Sequence, residues 1–294
     1  MIAPICLFSY NRLAEIKLTV DALTKNYLAP ESDLFVFSDG AKDGSPDDKV
    51  VEVRKYLKTI QGFKSITIFE SSENKGLANS IIDGVTKIIQ KFGKVIVVED
   101  DLVSSPNFLN FMNQALDFYS NKDQIFSISG YTMDLPSLSN YNRDYYFGYR
   151  ASSWGWATWK DRWVKVDWQA NNYRHFIYNP IRHFKFMRGG SDMPYMLWKQ
   201  MNGKIDSWAI RWCYFQHINN LLTLFPAISK IESVGFGSNA THTTHSERFI
   251  TNLDSGGKQN FEFSEDLTLQ MQLLREFRNK FSFNNRLKNR LKRL

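Results

Sequence analysis

Short apolar runs alternate with amphipathic stretches along the first 130 residues. The runs have the length of strands and consist mainly of aliphatic and aromatic residues: 2–9, 33–38, 65–70, 94–101 and 125–129. The stretches between them carry apolar residues every three or four positions and predict four helices: from Arg12, through Leu57, over Leu77 to Phe92, and from Pro106. This alternation predicts βαβ units, and so an α/β fold with a mostly parallel central sheet flanked by helices.

The pattern loses its regularity after Gly130 and gives way to loops and aromatic-rich helices. No repeat or low-complexity linker separates the two parts. We therefore expect an α/β half over residues 1–130, a second half of the same domain over 131–262, and a C-terminal tail over 263–294.

The excess of positive charge lies in the tail. The chain has a net charge of +7, but Arg275 to Leu294 holds eight Lys/Arg and one acid, which leaves 29 basic and 29 acidic residues elsewhere. Leu287, Leu291 and Leu294 recur among these cations at helical spacing, after an upstream apolar stripe formed by Leu267, Met271, Leu274, Phe277 and Phe281. A basic amphipathic helix of this kind predicts attachment to an anionic membrane surface, although a solvated helix end or a disordered tail fits the composition equally well.

Other features of the composition limit the cellular location of the protein and the partners that it could bind. No apolar run approaches the ~20 residues of a membrane span, and the N-terminus lacks the features of a signal peptide. Cys6 and Cys213 lie far apart in apolar surroundings, which suits a reducing compartment. We expect a cytoplasmic protein, peripheral at most to the inner face of the membrane. Nucleic-acid binding is disfavoured, because the neutral body offers no second basic surface.

The most informative motif is the end of the run from Lys94 to Asp101, where Glu99, Asp100 and Asp101 follow four aliphatic residues. Open α/β sheets bind ligands at the carboxyl ends of their strands. Three adjacent carboxylates repel one another unless a cation or hydrogen-bond donors gather between them. The triplet therefore predicts a divalent metal that carries a phosphorylated ligand. The alternative is a solvated strand end leading into the helix at Pro106.

Two other strand ends carry polar side chains: Asn11 with Arg12, and Asp39. The first strand–helix turn lacks G-x-G-x-x-G, and the chain has no P-loop, which disfavours dinucleotide cofactors and P-loop nucleotide hydrolysis. A row of such ends could hold a nucleotide, with its base near the first two strands and its diphosphate at the acidic triplet.

Three motifs resemble those of GT-A fold glycosyltransferases: Phe8 to Arg12, Phe37 to Gly40, and Val97 to Asp101. The Glu-Asp-Asp form is similar to the N-acetylglucosaminyltransferase I group, and bacterial family 2 enzymes share the general layout. The chain departs from many family 2 enzymes at Gly76 to Ile81, which lacks their Arg-Asn pair, and this leaves the donor sugar open.

The resemblance implies a role for each donor-side residue. Asp39 would accept a hydrogen bond from the nucleotide base, and Arg12 would lie beside the base or the phosphates. Glu99 and Asp100 would contact the donor sugar and the ribose. Asp101 would ligate a divalent cation, Mn²⁺ or Mg²⁺.

The second half would supply the acceptor side. The resemblance points to Asp206 as the catalytic base, with an N-cap of the following helix as the alternative role and Asp192 as a rival base. It also gives His242 as a further metal ligand, while an exposed loop histidine is the plain alternative. Three indoles are predicted to bind the acceptor, because they lie in the aromatic segment 152–159 or beside Asp206: Trp154, Trp156 and Trp208.

Taken together, the sequence predicts a metal-dependent, inverting glycosyltransferase that moves a hexosyl or N-acetylhexosaminyl group from a nucleotide-diphosphate sugar. The acceptor would be a glycan or a lipid-linked glycan, as in bacterial surface polysaccharide assembly. A sugar nucleotidyltransferase is one alternative, but its usual Gly-rich, basic first loop is absent. A non-catalytic carbohydrate-binding protein is another, and it would leave the three acids without a role.

Overall fold

The computed structural model describes residues 1–42, 47–235 and 249–285. Ten strands occur in these residues: β1 (Ile5–Ser9), β2 (Asp33–Ser38), β3 (Ser65–Glu70), β4 (Lys94–Glu99), β5 (Leu102–Ser104), β6 (Ile125–Ser129), β7 (Tyr145–Gly148), β8 (Trp156–Trp159), β9 (Leu222–Pro226) and β10 (Ile231–Ser233). Eight of them form one sheet in the order β3-β2-β1-β4-β8-β6-β9-β7, and β5 pairs with β10 in a separate antiparallel ribbon.

Helices cover both faces of the large sheet: α1 (Leu13–Thr24), α2 (Asp48–Leu57), α3 (Leu77–Phe92), α4 (Phe108–Phe118), α5 (Lys160–Trp163), α6 (Tyr173–Ile177), α7 (Pro180–Phe186), α8 (Met193–Met201), α9 (Trp208–Ile218) and α10 (Met271–Lys280). Successive strand residues point to opposite faces. In β1, Ile5 and Leu7 join the core with α1 and α4, whereas Cys6 and Phe8 join the core with α3 and α9. Burial on both faces explains why these strands read as unbroken apolar runs.

The predicted α/β architecture with a mostly parallel sheet is confirmed. Six of the eight strands run in one direction, because only β8 and β7 pair antiparallel with their neighbours in this sheet. The predicted strands at 33–38, 65–70 and 125–129 have the observed bounds. The first strand begins at Ile5 rather than Ile2, and β4 ends at Glu99, so Asp100 and Asp101 lie in the turn that follows it.

The sequence pattern missed the strands of the second half. β7, β8 and β9 are four or five residues long and fully buried, so they show neither polar alternation nor a long apolar run. In the segment Trp156–Trp159 the indoles indicate an aromatic cluster but no strand. The structure shows that this segment is β8, which lies between β4 and β6 in the main sheet. The two halves therefore share one sheet, and the boundaries at residues 130 and 262 stay predictions.

The apolar stripe upstream of the tail packs on the body of the protein. Leu274, Phe277 and Phe281 are buried, and the Phe277 ring lies 5.4 Å from that of Phe225 in β9. This part of the stripe is consequently not free to enter a bilayer. Residues 286–294, with Leu287, Leu291 and Leu294, lie outside the described residues. None of the described helices combines the length and apolar composition that a bilayer crossing requires.

A buried ion pair fixes the segment before β10. The Lys230 ammonium pairs with the Asp254 carboxylate, and the two side chains are 4% and 10% exposed. The Phe111 and Phe261 rings flank the ammonium, with centroids at 5.7 and 4.7 Å. The Lys230 amide donates to the Gly130 carbonyl at 2.7 Å, so the pair anchors the chain immediately before β10.

We expect Lys230→Met to lower the free energy of unfolding by about 3 kcal/mol, because it leaves the Asp254 carboxylate buried without its counter-charge. Urea denaturation followed by circular dichroism measures the change. The double variant Lys230→Met/Asp254→Asn should recover most of the loss, because it also removes the orphaned charge. Equal destabilisation of the single and double variants would contradict this account.

Candidate active site

Three neighbouring parallel strands end at one edge of the sheet. The registers pair Ser9 of β1 with Ser38 of β2, and Phe8 of β1 with Glu99 of β4. The predicted donor-side residues lie at the ends of these strands or in the turns directly after them, as the sequence indicated. The edge also receives the start of β8, because β8 runs antiparallel to β4 with Trp156 opposite Val97.

Arg12 binds two members of the acidic triplet. It precedes α1, and its guanidinium donates to the Asp101 carboxylate at 3.1 Å and to the Asp100 carboxylate. Asp100 is held further by the Tyr10 amide, which donates to its carboxylate at 3.3 Å, and by the Thr19 hydroxyl, which donates to its carbonyl at 2.9 Å. Burial raises the pKa of Asp100 to about 6 although Arg12 opposes the shift. The Arg12 guanidinium thus supplies one positive charge beside these two carboxylates.

Glu99 differs from its two neighbours. Burial, followed by the charges of Asp101 and Asp100, raises the pKa of Glu99 to about 8. The shift favours the protonated carboxyl more than in an ordinary glutamate, and a protonated carboxyl can both donate and accept a hydrogen bond.

Asp39 holds the loop that leads into α3. Its Oδ1 accepts from the amides of Gly40 (3.0 Å) and Lys75 (2.9 Å), and its Oδ2 accepts from the amide of Gly76 at 3.1 Å. Gly40 must be a glycine here, since a Cβ would lie 2.4 Å from the carbonyl carbon of Glu73. The predicted contact of Asp39 with a nucleotide base stays a prediction. What the structure adds is that Asp39 shapes the rim of the site.

Arg54 also supports this rim and was missed by the sequence analysis. Its guanidinium donates to the carbonyls of Ser71 (2.6 Å) and Asp39 (3.2 Å) and to the hydroxyl of Ser38 (3.2 Å). It thereby ties the ends of β2 and β3 together from α2. No local signal marks it, because it lies in a helix among other charged residues.

Asp206 lies beside the start of α3, close to Gly76, whose amide donates to Asp39. A methyl group on Gly76 would be 4.0 Å from Asp206 Oδ2. The Asp206 side chain is 61% exposed, and the Arg211 guanidinium donates to it at 3.4 Å. The N-cap of α9 is Ser207, whose hydroxyl accepts from the Ile210 amide, so the N-cap alternative for Asp206 is wrong.

Asp192, the alternative candidate for the base, forms an ion pair with Arg150. Both of its oxygens accept from the Arg150 guanidinium at 2.9 to 3.1 Å, and the two side chains are largely buried. A carboxylate held in such a two-pronged pair is poorly suited to take a proton from a substrate.

The chain returns to Asp101 after β10. Ser233 of β10 pairs with Leu102 of β5, and the Val234 amide donates to the Asp101 carbonyl at 2.9 Å. A Cβ on Gly235 would lie 2.1 Å from Asp101 Oδ2, so any larger residue at this position would force the Asp101 carboxylate to move. His242, the predicted second metal ligand, lies outside the described residues.

The three predicted acceptor indoles have different surroundings. Trp156 and Trp208 are buried in a cluster with Trp163 and Trp212, with Trp156 and Trp212 ring centroids 4.4 Å apart. This corrects the expectation that Trp156 and Trp208 bind the acceptor, because both side chains are buried in this structure. Trp154 is half-buried, packs edge-on to Tyr131, and precedes β8 at the edge where β4 ends.

The Asp101 carboxylate has the chemistry of a ligand for a hard divalent cation that also binds substrate phosphates. In the part of the chain that the structure describes, no group of three His, Cys, Asp or Glu side chains could hold a metal ion. Mg²⁺ is commonly held by one or two carboxylates together with substrate phosphates, and the hard oxygen of Asp101 suits that arrangement.

No protein-family model matches the chain, and no curated protein matches it. Solved structures similar to it include the mannosyltransferase PcManGT from Pyrobaculum calidifontis in complex with GDP-Man and Mn²⁺, at 10% identity and a TM-score of 0.42, over 74% of this chain and 69% of that one. S. aureus TarS is also similar, at 17% identity and a TM-score of 0.33, over 44% of this chain and 21% of that one. At such scores neither likeness assigns an activity, and the resemblance to the N-acetylglucosaminyltransferase I group stays a prediction.

Proposed function

We propose that this protein is a metal-dependent, inverting glycosyltransferase that uses a nucleotide-diphosphate sugar. One observation carries the proposal: an Arg12-bridged carboxylate cluster lies at the ends of parallel strands, while Asp206, on a separate loop, opposes the start of α3. The first arrangement suits an anionic donor with a cation, and the second supplies an accessible base from the other half of the chain.

The donor would occupy the edge formed by β2, β1 and β4. Arg12 would bind the diphosphate, with Asp39 and the loop it holds beside the base, and Glu99 and Asp100 would bind hydroxyls of the sugar and the ribose. A divalent cation held by Asp101, with His242 as a further ligand, would stabilise the negative charge of the departing diphosphate.

Asp206 would act on the acceptor. Its carboxylate would take the proton of the attacking hydroxyl while that oxygen bonds to the anomeric carbon. The bond from the anomeric carbon to the diphosphate oxygen would break on the opposite face, which inverts the configuration. Arg211 would orient the base, and Trp154 would contact the acceptor sugar; Trp156 and Trp208 have no such part in this proposal.

The remaining inferences concern the substrate and the location. We propose a glycan or lipid-linked glycan acceptor, a hexosyl or N-acetylhexosaminyl donor, and a role in bacterial surface polysaccharide assembly at the cytoplasmic face of the membrane. These follow from the motif resemblance and from the basic character of the C-terminal part of the chain.

A panel of nucleotide sugars tests the proposal. We expect slow hydrolysis of one donor with Mn²⁺ present, loss of that turnover with EDTA, and recovery when Mn²⁺ is added back. Pyrophosphate release from a nucleoside triphosphate and a sugar 1-phosphate would instead indicate a nucleotidyltransferase. Binding of oligosaccharides without turnover of any donor would indicate a carbohydrate-binding protein.

A further inference from the structure

A surface outside the candidate active site exposes large apolar side chains. Tyr178, Ile181 and Phe184 are 86%, 66% and 64% exposed. Ile181 and Phe184 lie three residues apart in α7 and so project from the same side of the helix. The inner residues Phe176 and Phe186 are buried against Tyr214 of α9, which docks α6 and α7 firmly on the body. The outward face is thus apolar on a fixed support.

The same surface is basic. From Asn171 to Ser191 the sequence has four Lys/Arg (Arg174, Arg182, Lys185 and Arg188) and no acid. These four side chains are exposed. Helix α10 adds exposed Arg275 and Arg278, and the Arg278 guanidinium lies 5.9 Å from the Phe184 ring centroid. We call this surface, formed by residues 174–188 with Arg275 and Arg278, the α7–α10 face.

Two acids adjacent in sequence to residues of this face are engaged within the protein. Asp192 is paired with Arg150, and the Glu276 carboxylate accepts from the amide and hydroxyl of Ser137 at 3.0 and 2.6 Å. These two carboxylates are thus occupied by partners other than the exposed cations of the α7–α10 face. At its edge is an open cavity of about 360 Å³ lined by Ser191, Arg275, Arg278, Asn279, Ser282 and Phe283.

We propose that the α7–α10 face docks on an anionic lipid bilayer. Exposed aromatic and aliphatic side chains ringed by Lys and Arg are typical of surfaces that lie in the headgroup region. The apolar residues would enter the boundary of the acyl chains, the cations would bind the anionic leaflet, and the arginine-lined cavity would take a lipid phosphate. This docking site is folded and distinct from residues 286–294, and it does not depend on the proposed activity.

Sedimentation with vesicles tests the proposal on the full-length chain. Vesicles of 70% phosphatidylcholine and 30% phosphatidylglycerol should bind the protein, and pure phosphatidylcholine should bind it at least tenfold more weakly. Ile181→Glu/Phe184→Glu and Arg182→Gln/Lys185→Gln should each weaken binding to the anionic vesicles at least tenfold. Leu18→Glu/Val51→Glu is the matched control, since both side chains are about half exposed but lie on α1 and α2. It should bind like the wild type.

Two further measurements keep the outcomes separate. Thermal melts and circular dichroism of each variant must match the wild type, so that lost binding is not lost folding. A variant with Arg286, Lys288 and Arg290 replaced by Gln tests the tail. If it alone abolishes binding while the α7 variants bind normally, the proposal is overturned. Failure of the wild type to bind anionic vesicles would overturn it as well.

Discussion

Asp206→Asn is expected to lower the rate of sugar transfer about a thousandfold, within the range for loss of a general base. The amide has the size of the carboxylate and can keep the contact with Arg211 and the place beside Gly76, but it cannot accept the proton of the acceptor hydroxyl. Donor affinity should change less than threefold, because among the described residues the hydrogen-bond partner of Asp206 is Arg211 and not one of the predicted donor-binding side chains. Steady-state transfer assays and calorimetric titration with the donor measure the two quantities separately.

The control for this variant is Asp83→Asn. Asp83 is an exposed carboxylate on α3, the helix whose start lies beside Asp206. The substitution therefore removes one negative charge near the site but leaves Asp206 in place. Its transfer rate should stay close to that of the wild type. Normal transfer by Asp206→Asn would place the base elsewhere, and Asp192→Asn would then be tested next.

For a physical reason, the sequence could predict that the polar residues after β1, β2 and β4 lie together at one edge of the sheet. β1, β2 and β4 are buried over most of their length, which makes each a continuous apolar run, and the parallel arrangement brings their ends to one edge. Hence Arg12, Asp39 and the acidic triplet could be assigned to one place without knowledge of any contact. Arg12 and Asp101 are 89 residues apart in the sequence. No local sequence pattern therefore predicts with which carboxylate the Arg12 guanidinium pairs.

The second half was harder to predict because its structure depends on distant contacts. Trp156 looks like a ligand-stacking residue beside Gly155, yet it is covered by α9, whose residues come some fifty positions later. Arg54 acts on the carbonyls of β2 and β3 from a surface helix. The fit of Gly235 against Asp101 depends on the β5–β10 ribbon, which two three-residue strands form. Short elements of this kind carry too few residues for a period to show.

Asp101→Ala is expected to lower kcat/KM about a thousandfold, because the proposed cation at the leaving diphosphate would lose one of its two proposed protein ligands, and its stabilisation of that charge is worth several kcal/mol. Gly235→Ala is expected to lower it about a hundredfold, the cost of displacing a catalytic group by about 1 Å. The new Cβ, only 2.1 Å from Asp101 Oδ2, must push that carboxylate aside, so this variant disturbs the site without changing its charge.

Binding of Mn²⁺ in the presence of UDP or GDP, followed by electron paramagnetic resonance, provides the second measurement. Both variants should bind Mn²⁺–nucleotide at least tenfold more weakly than the wild type. Gly257→Ala is the matched control, since a Cβ there meets nothing within 4 Å, and it should leave binding and turnover unchanged. If Asp101→Ala loses turnover but keeps full Mn²⁺–nucleotide affinity, Asp101 does not ligate the metal. If Gly235→Ala is as active as Gly257→Ala, the close approach of residue 235 has no bearing on the reaction, and the cation site must be sought away from the β5–β10 ribbon.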